Sequence, residues 1–287
     1  MLNKAAISVF LCCSFFLSLR ASGQEHEMGI WGGITHSFGD INRTLSSFQD
    51  YNGGGGFFYK YNFNPRVGWY IGASLGSTEG YDNTSEEIYQ QTRNLDYKTS
   101  VKEISTRIDF NFFSFNRTKP KEWFTPYVFL GLNAYYFNPQ GTYQGQWIDL
   151  QPLGTEGQNV IPEKDPYNRL QIGVPLGGGL KFALSENWAV GLEGNWHKLF
   201  TDYFDDVSTV YVDPALLLAG PDGDVAAEMA DKSTVTLDIP ALGEAGRQRG
   251  DTQYNDSYFY GGIFISYTIV NLKCPPPSAK GFSKRRK

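Results

Sequence analysis

The sequence predicts an all-β protein: an eight-stranded antiparallel transmembrane β-barrel with long extracellular loops and a short periplasmic C-terminal tail. The first observation is composition, since the 287 residues are 16% aromatic and only 19% charged, with 32 glycines. Glycine is thus about 11% of the chain, against roughly 7% in average proteins. The second is a two-residue alternation of apolar and polar side chains, and the third is an alternation of short and long connections. The composition excludes intrinsic disorder, and a single continuously apolar stretch excludes a polytopic helical membrane protein.

That apolar stretch lies at the N-terminus and has the parts of a secretory signal peptide. Lys4 supplies the positive charge, residues 5–19 form the apolar region, and Ala-Ser-Gly at residues 21–23 offers a cleavage site before Gln24. The alternative is a membrane anchor, but about fifteen apolar residues are short for a span of roughly 20. We therefore predict a signal peptide over residues 1–23 and an exported mature chain.

Eight segments of the mature chain alternate with the period of two that is typical of strands. Most have ten or more residues, enough for a tilted strand of about 9–11 residues to cross a bilayer, and an even number is typical of outer-membrane barrels. Aromatic residues cluster at the ends of these segments, as interfacial girdles require. The predicted strands cover residues 26–36, 51–63, 66–78, 99–113, 125–137, 168–182, 187–199 and 257–270.

The alternation also assigns the two faces of the barrel, with apolar side chains toward lipid and polar ones toward the lumen. An eight-stranded barrel has an interior just wide enough for side chains, so we expect a filled lumen that does not conduct. The predicted lumen residues are Glu103, Arg107, Asp109, Glu193 and Asn195. The predicted lipid-facing residues include Val67, Trp69, Ile71, Ile108, Leu130, Leu132, Val190, Leu192, Ile263 and Ile265.

The connections between the predicted strands place the barrel in the membrane. Short turns at residues 62–66, 114–121 and 184–187 alternate with long loops at residues 37–50, 79–98, 138–167 and 200–256. Short periplasmic turns, long external loops and periplasmic termini are typical of outer-membrane barrels, whereas a soluble β protein has no reason to put every long loop at one end. The 200–256 loop contains a candidate short helix at residues 225–230 and is expected to fold over the barrel mouth or to contact a partner.

Residues 273–287 form a proline-rich, basic tail that differs from the barrel of residues 24–272. The barrel segment holds 17 basic and 30 acidic residues, a net charge of −13, whereas the tail has no acidic residue. Three prolines predict a stiff spacer. The tail is either a solubilising segment or a docking peptide for an acidic partner or anionic lipid headgroups, and export argues against nucleic acid. The predicted partner-binding residues are Cys274, Pro275, Pro276, Pro277, Lys280, Lys284, Arg285, Arg286 and Lys287.

Sequence patterns of catalytic and metal sites are absent. The three histidines form no His-x-x-x-His pair, no nucleophile elbow is present, and the glycine runs at residues 53–56 and 177–179 are not followed by Gly-Lys-Ser/Thr. We therefore predict no enzyme activity, cofactor or metal. Two rival functions stay open. One is an adhesin that binds through the 200–256 loop, and the other is a rim enzyme that uses His197 with Asp202 and Asp205.

Four segments resemble the PorG-type outer-membrane barrels of the type IX secretion system of Bacteroidota: residues 123–134, 155–158, 177–182 and the Cys-Pro tail. The resemblance implies a structural part in protein secretion and gliding motility. It implies attachment to the periplasmic ring of the PorK-type lipoprotein and the PorN-type protein. An odd cysteine in an exported chain indicates an intermolecular disulfide or a free thiol, and the resemblance makes Cys274 the covalent link. One departure is the last strand, which ends in Ile269-Val270 rather than in an aromatic residue.

Overall fold

A computed structural model describes residues 25–42, 50–233 and 242–269 of the chain. The predicted signal peptide and the predicted tail with its partner-binding residues lie outside this part. The described residues form three short α-helices, α1 (Ile88–Arg93), α2 (Pro214–Leu218) and α3 (Gly223–Ala230). In the described part, no helix has the length and apolar character needed to cross a membrane. The strands are β1 (Glu25–Phe38), β2 (Asn52–Asn62), β3 (Val67–Tyr81), β4 (Asp96–Asn111), β5 (Phe124–Tyr143), β6 (Gln146–Asp149), β7 (Leu170–Ala183), β8 (Trp188–Leu199) and β9 (Ser257–Ile269).

Eight of these strands close into an antiparallel barrel, which confirms the predicted fold class. The order around the barrel is β4-β3-β2-β1-β9-β8-β7-β5, and β4 pairs with β5 to complete the ring. The first and last strands pair over their whole length, from His26 opposite Ile269 to Phe38 opposite Ser257. Because every strand of the wall has two partners, the wall has no open edge.

The ninth strand, β6, lies outside the wall and pairs only with β5. The prediction of a long loop over residues 138–167 was therefore wrong in its first part, because β5 continues to Tyr143 and turns back as a hairpin. Gln144 and Gly145 form the turn with φ of 47° and 78°. Two consecutive positive φ angles are typical of the tight turns that join antiparallel strands. The 79–98 loop is likewise shorter than predicted, since β3 and β4 extend into it.

The connections divide the barrel into two ends. The short ones are residues 63–66, 112–123 and 184–187, and they join β2 to β3, β4 to β5 and β7 to β8. The start of β1 and the end of β9 lie at this same end, since Glu25 pairs with Asn62 and His26 with Ile269. We call it the short-turn end, and the opposite end, which carries the long connections, the long-loop end.

The outer surface of the barrel is an apolar band. Burial alternates residue by residue along β4, and all ten predicted lipid-facing residues occupy outward positions. Leu130 and Leu132 are 60% and 62% exposed although they lie in the middle of a strand. Contiguous apolar surface of this kind is rare on soluble monomers, whereas a lipid-facing band is the outer surface of a membrane-spanning barrel.

Aromatic side chains also fill the lumen, which differs from the prediction that they serve mainly as girdles. Tyr135 and Phe137 are completely buried inside, and only Tyr136 between them points outward. Tyr258 and Tyr260 face inward in the same way. Within a strand, every second residue of an aromatic run must face the lumen. The long-loop half of the lumen holds Val101, Tyr135, Phe137, Leu199, Phe204, Tyr258 and Tyr260, and the other half holds Phe58, Tyr70, Tyr127, Phe129 and Phe264.

Glycines of the two glycine runs make room for these rings. A Cβ on Gly56 would lie 2.7 Å from the Trp31 indole nitrogen, and one on Gly177 would lie 2.7 Å from the Phe129 ring. Both distances are shorter than van der Waals contact. The glycine runs therefore allow close packing in a narrow lumen.

Candidate functional site

Polar side chains gather in the lumen and in the cap that the long connections form over one end. Arg107 is the centre of the lumen cluster. Its guanidinium donates hydrogen bonds to both carboxylate oxygens of Glu193 at 2.7 and 2.6 Å and to Asp109 at 3.1 Å. The rings of Tyr70 and Phe129 lie with their centroids 3.9 and 3.7 Å from it. Bidentate pairing together with contacts to two rings fixes the position of this cation.

A second group of charges closes the short-turn end of the lumen. The Lys60 ammonium pairs with Asp109. Arg117, from the connection between β4 and β5, reaches Glu27 with an N–O distance of 2.9 Å, and Ser266 donates to the same carboxylate at 2.6 Å. The described lumen thus contains carboxylates at Glu27, Glu103, Asp109 and Glu193 and cations at Lys60, Arg107, Arg117 and Lys181, and the Glu25 carboxylate lies 3.7 Å from Arg117 at its short-turn end.

A third group occupies the long-loop side of the lumen around Glu103. Its carboxylate accepts hydrogen bonds from Tyr258 and, at 3.0 Å, from Asn133. The Nδ1 atom of His197 lies 3.2 Å from it, and the imidazole stacks on the Tyr258 ring with centroids 4.2 Å apart. His197 is therefore a completely buried lumen residue rather than an exposed rim group.

The rim-enzyme arrangement gains no support from these contacts. In the described part of the chain, the hydrogen-bonding and ring contacts of His197 are with Glu103, Asn133, Tyr258 and Tyr260 and involve neither Asp202 nor Asp205. The Asp202 carboxylate accepts from the Ser208 hydroxyl at 2.7 Å, and Asp205 accepts from the backbone N–H of Ile41 at 3.2 Å. The carboxylates that the sequence places close to His197 thus belong to the cap and have other partners.

Little space remains between the lumen side chains. A cavity of about 20 Å³ lies between Trp31, Lys60, Arg107, Glu193 and Tyr260. This volume holds about one water molecule. The structure places all five predicted lumen residues inside the barrel: Glu103, Arg107, Asp109 and Asn195 buried, and Glu193 half-buried.

The sequence analysis missed several members of this network. His197 shares the inward parity of Glu193 and Asn195, and Lys60 and Lys181 occupy inward positions of β2 and β7, so alternation along each strand contained the signal for them. Arg117 lies in a turn, where no period applies, and only the folded structure brings it to Glu27. All four are buried.

The cap consists of the described residues of long loop 1 (39–51), long loop 2 (82–95), long loop 3 (144–169) and long loop 4 (200–256). Arg93, the last residue of α1, joins three of them. Its buried guanidinium donates to the Asp82 carboxylate at 2.7 and 2.8 Å, to the carbonyl of Asp40 at 2.9 Å and to that of Arg249 at 2.7 Å. One side chain thus links long loops 1, 2 and 4.

Arg249 joins long loops 3 and 4. Its guanidinium donates to Glu156 at 3.0 Å, to the carbonyl of Asp206 at 2.6 Å and to that of Ala230 at 3.1 Å. Glu156 in turn accepts from the backbone of Ser208 at 2.9 Å. The segment 155–158, one of those that carry the family resemblance, thus supplies Glu156 as one buried carboxylate of the cap. The predicted helix in long loop 4 is confirmed as α3, and the loop folds over the barrel mouth.

Burial changes the acid–base properties of the cap carboxyls. It raises the pKa of Asp202 to about 7, and the nearby Asp40 carboxylate acts in the same direction while the Ser208 hydrogen bond opposes it. Burial also raises the pKa of Asp206 to about 6 against the opposing effect of the Arg249 guanidinium. These carboxyls bind protons more tightly in the folded cap than in an unfolded chain, where the aspartate pKa is near 3.8.

The cap is therefore expected to be more stable at pH 5.5 than at pH 8. The raised pKa values stabilise the folded cap fully below about pH 4, and this contribution is lost as the pH rises through about 6 and 7. The measurement is the rate of proteolysis within long loop 4, normalised at each pH to cleavage of an unfolded peptide. Asp202→Asn should reduce the difference between the two pH values, whereas Glu244→Gln, at an exposed site, should retain it. An equal rate at both pH values in the wild type contradicts the expectation.

Residues 4–211 match the model of a family described as a domain of unknown function, DUF6089. The chain belongs to this family. The match covers β1 to β8 and the first part of long loop 4 of this DUF6089 protein. No curated protein matches the chain.

Solved structures of bacterial barrels are similar in fold. Ail of Yersinia pestis is 12% identical, with 86% of this chain and 100% of Ail covered and a TM-score of 0.40. The N-terminal barrel domain of OprF from Pseudomonas aeruginosa is 10% identical, with 86% and 100% covered and a TM-score of 0.36. OprG from the same organism is 9% identical, with 88% and 99% covered and a TM-score of 0.37. At these identities and TM-scores, no functional argument passes from them to this DUF6089 protein.

Proposed function

We propose that this protein is an outer-membrane β-barrel that anchors a periplasmic assembly, the ring of the type IX secretion system. The observation that carries the proposal is the filled lumen. Buried ion pairs and aromatic rings occupy it, and the cavity beside Arg107 has a volume of about 20 Å³. A barrel without an open channel serves as a support rather than as a pore, and catalysis is no part of the proposal.

The two ends of the barrel support a defined orientation. Short turns face the periplasm and long loops face outward in barrels of this kind. The chain enters β1 and leaves β9 at the short-turn end. In this orientation, residues 270–287 continue from the periplasmic end, where ring proteins are located.

The charge of the tail supports contact with a partner. Residues 24–272 have a net charge of −13, whereas the tail sequence contains basic residues and no acidic residue. Such a segment attracts an acidic protein surface. In the proposal, the PorK-type lipoprotein and the PorN-type protein supply that surface, and Cys274 forms a disulfide with the ring.

Deletion of residues 273–287 is expected to abolish both co-purification of the ring proteins and secretion, because it removes the covalent and the electrostatic contacts together. The measurement is affinity purification from membranes without reductant, with secreted protein quantified in parallel. Cys274→Ser should remove a reducible higher-mass band on non-reducing gels. The control is the pair Leu216→Ser and Leu218→Ser in the cap, which should change neither result. Normal secretion by the deletion variant overturns the anchor.

A surface-binding barrel is the second candidate, and one observation favours it. Helix α2 exposes 46% of Leu216 and 53% of Leu218, and Tyr254 in the same long loop is 74% exposed. Exposed apolar side chains on an external loop are suited to a protein partner. If this function holds, the leucine pair abolishes attachment of whole cells to their target surface, and the tail deletion has no effect on it.

A further inference from the structure

The outer wall of the barrel carries an apolar groove across β2 to β5. It encloses about 430 Å³. Small residues, Gly55, Ala73 and Ala134, lie beside large ones, because Ala73 and Ala134 both pair with Ile104 from opposite sides and Gly55 pairs with Leu75. The alternation of small and large side chains leaves a recess in a surface that otherwise faces lipid chains.

Two cations stand at the long-loop end of this groove. Lys102 lies one outward position beyond Ile104, is exposed and pairs in register with Tyr136. In the described residues no ion-pair partner of Lys102 is found. The Arg169 guanidinium lies 5.4 Å from the centre of the Tyr136 ring, donates to Asn138 at 2.6 Å and lies 3.9 Å from the Asp149 carboxylate, which leaves donors of the guanidinium for a further anion. The two cations therefore flank one tyrosine at the upper edge of the recess.

On the outward face of β4, charge begins only at the long-loop end of the groove. Along β4, the outward positions from Ile104 to Phe110 carry no charge, and Lys102 is the first charged residue beyond them. Successive outward residues on a strand are about 7 Å apart, so the ammonium lies close above the apolar recess. The barrel segment as a whole has a net charge of −13, which repels anions elsewhere.

We propose that this groove binds an acyl chain of a phosphorylated glycolipid of the outer leaflet, with a phosphate held between Lys102 and Arg169. The apolar recess takes the chain, and the two cations take the phosphate through charge-assisted hydrogen bonds. The choice of the outer leaflet rests on the proposed function, because it follows from the orientation that places the long loops outside.

The test is native mass spectrometry of the full mature barrel released from nanodiscs that contain phosphatidylcholine and lipopolysaccharide. Lys102→Glu/Arg169→Glu is expected to reduce bound lipopolysaccharide at least about tenfold, the effect of losing a charge-assisted hydrogen bond. Lys198→Glu, at an exposed lysine near the long-loop end of β8, is the matched control and should retain it. Ala134→Leu fills the recess without changing charge and should also reduce binding. Heat-dependent gel mobility checks that each variant is folded.

Two results overturn the proposal. One is unchanged lipopolysaccharide binding in folded Ala134→Leu or in the folded double variant. The other is equal retention of phosphatidylglycerol when it replaces lipopolysaccharide, which assigns the groove to phospholipid. Co-purification of ring proteins should be the same in all these variants, so failure here is distinct from failure of the anchor function.

Discussion

Replacing Arg107 by alanine is expected to destabilise the barrel by about 3–5 kcal/mol, the cost of removing one partner from a buried ion pair. The change leaves the Glu193 and Asp109 carboxylates without the cation that holds them at 2.6–3.1 Å. It also opens a gap between the rings of Tyr70 and Phe129. The measurement is the free energy of unfolding in urea with the barrel in lipid vesicles, followed by tryptophan fluorescence.

Two further variants separate loss of charge balance from loss of packing. Arg66→Ala removes an exposed arginine of a short turn and should change stability by about 0.5 kcal/mol or less. Arg107→Ala/Glu193→Gln should recover part of the loss, because neutralising one carboxylate removes an unpaired buried charge. If the single variant Arg107→Ala is as stable as the wild type, the central role assigned to Arg107 is wrong.

Replacing Arg249 by methionine is expected to open the cap while the wall stays intact. Glu156 then loses its buried cation, and the carbonyls of Asp206 and Ala230 lose their donor. A cost of about 3 kcal/mol corresponds to an increase on the order of 100-fold in the population of opened cap. Proteinase K should therefore cut within long loops 3 and 4 faster by about this factor.

The matched control is Arg247→Met, two residues away and only half-buried, which should leave the cleavage rate near that of the wild type. Arg249→Met/Glu156→Gln should be cut more slowly than the single variant, because the uncompensated carboxylate is gone. If cleavage in the single variant extends into the strands, the cap and wall unfold together and the separation assigned to them is wrong.

Alternation predicted the wall because it follows from strand geometry alone. Glu103, Arg107 and Asp109 are separated by even numbers of residues and face the lumen as expected. The same parity includes His197 with Glu193 and Asn195, yet its position near a strand end favoured an exposed rim interpretation. The structure shows that the wall extends further than the apolar band, so a residue near a strand end is still inside.

The cap was beyond prediction because its contacts join distant parts of the chain. Arg93 contacts Asp40 and Arg249, which lie 53 and 156 residues away. No local period or propensity brings such residues together. The short hairpin at Gln144 and Gly145 was missed for a different reason, since the glutamine gives no sign of the left-handed conformation it adopts.

The aromatic side chains occupy two environments rather than one. Trp69 and Trp188 lie on the outer wall, whereas Tyr135 and Tyr258 lie in the lumen with no exposure or almost none. Composition alone does not divide the rings between lipid and lumen, because aromatic rings pack in both environments. The register of each strand makes that division.

Pairing of β1 with β9 means that the first and last strands meet across almost the full length of the mature sequence. The ring closes only after Ile269 is available, so no N-terminal fragment can complete the wall. Pairs this far apart in sequence form slowly, because the entropy of the intervening chain is lost first. The apolar outer faces of the earlier strands therefore belong to an incomplete wall until β9 pairs with β1.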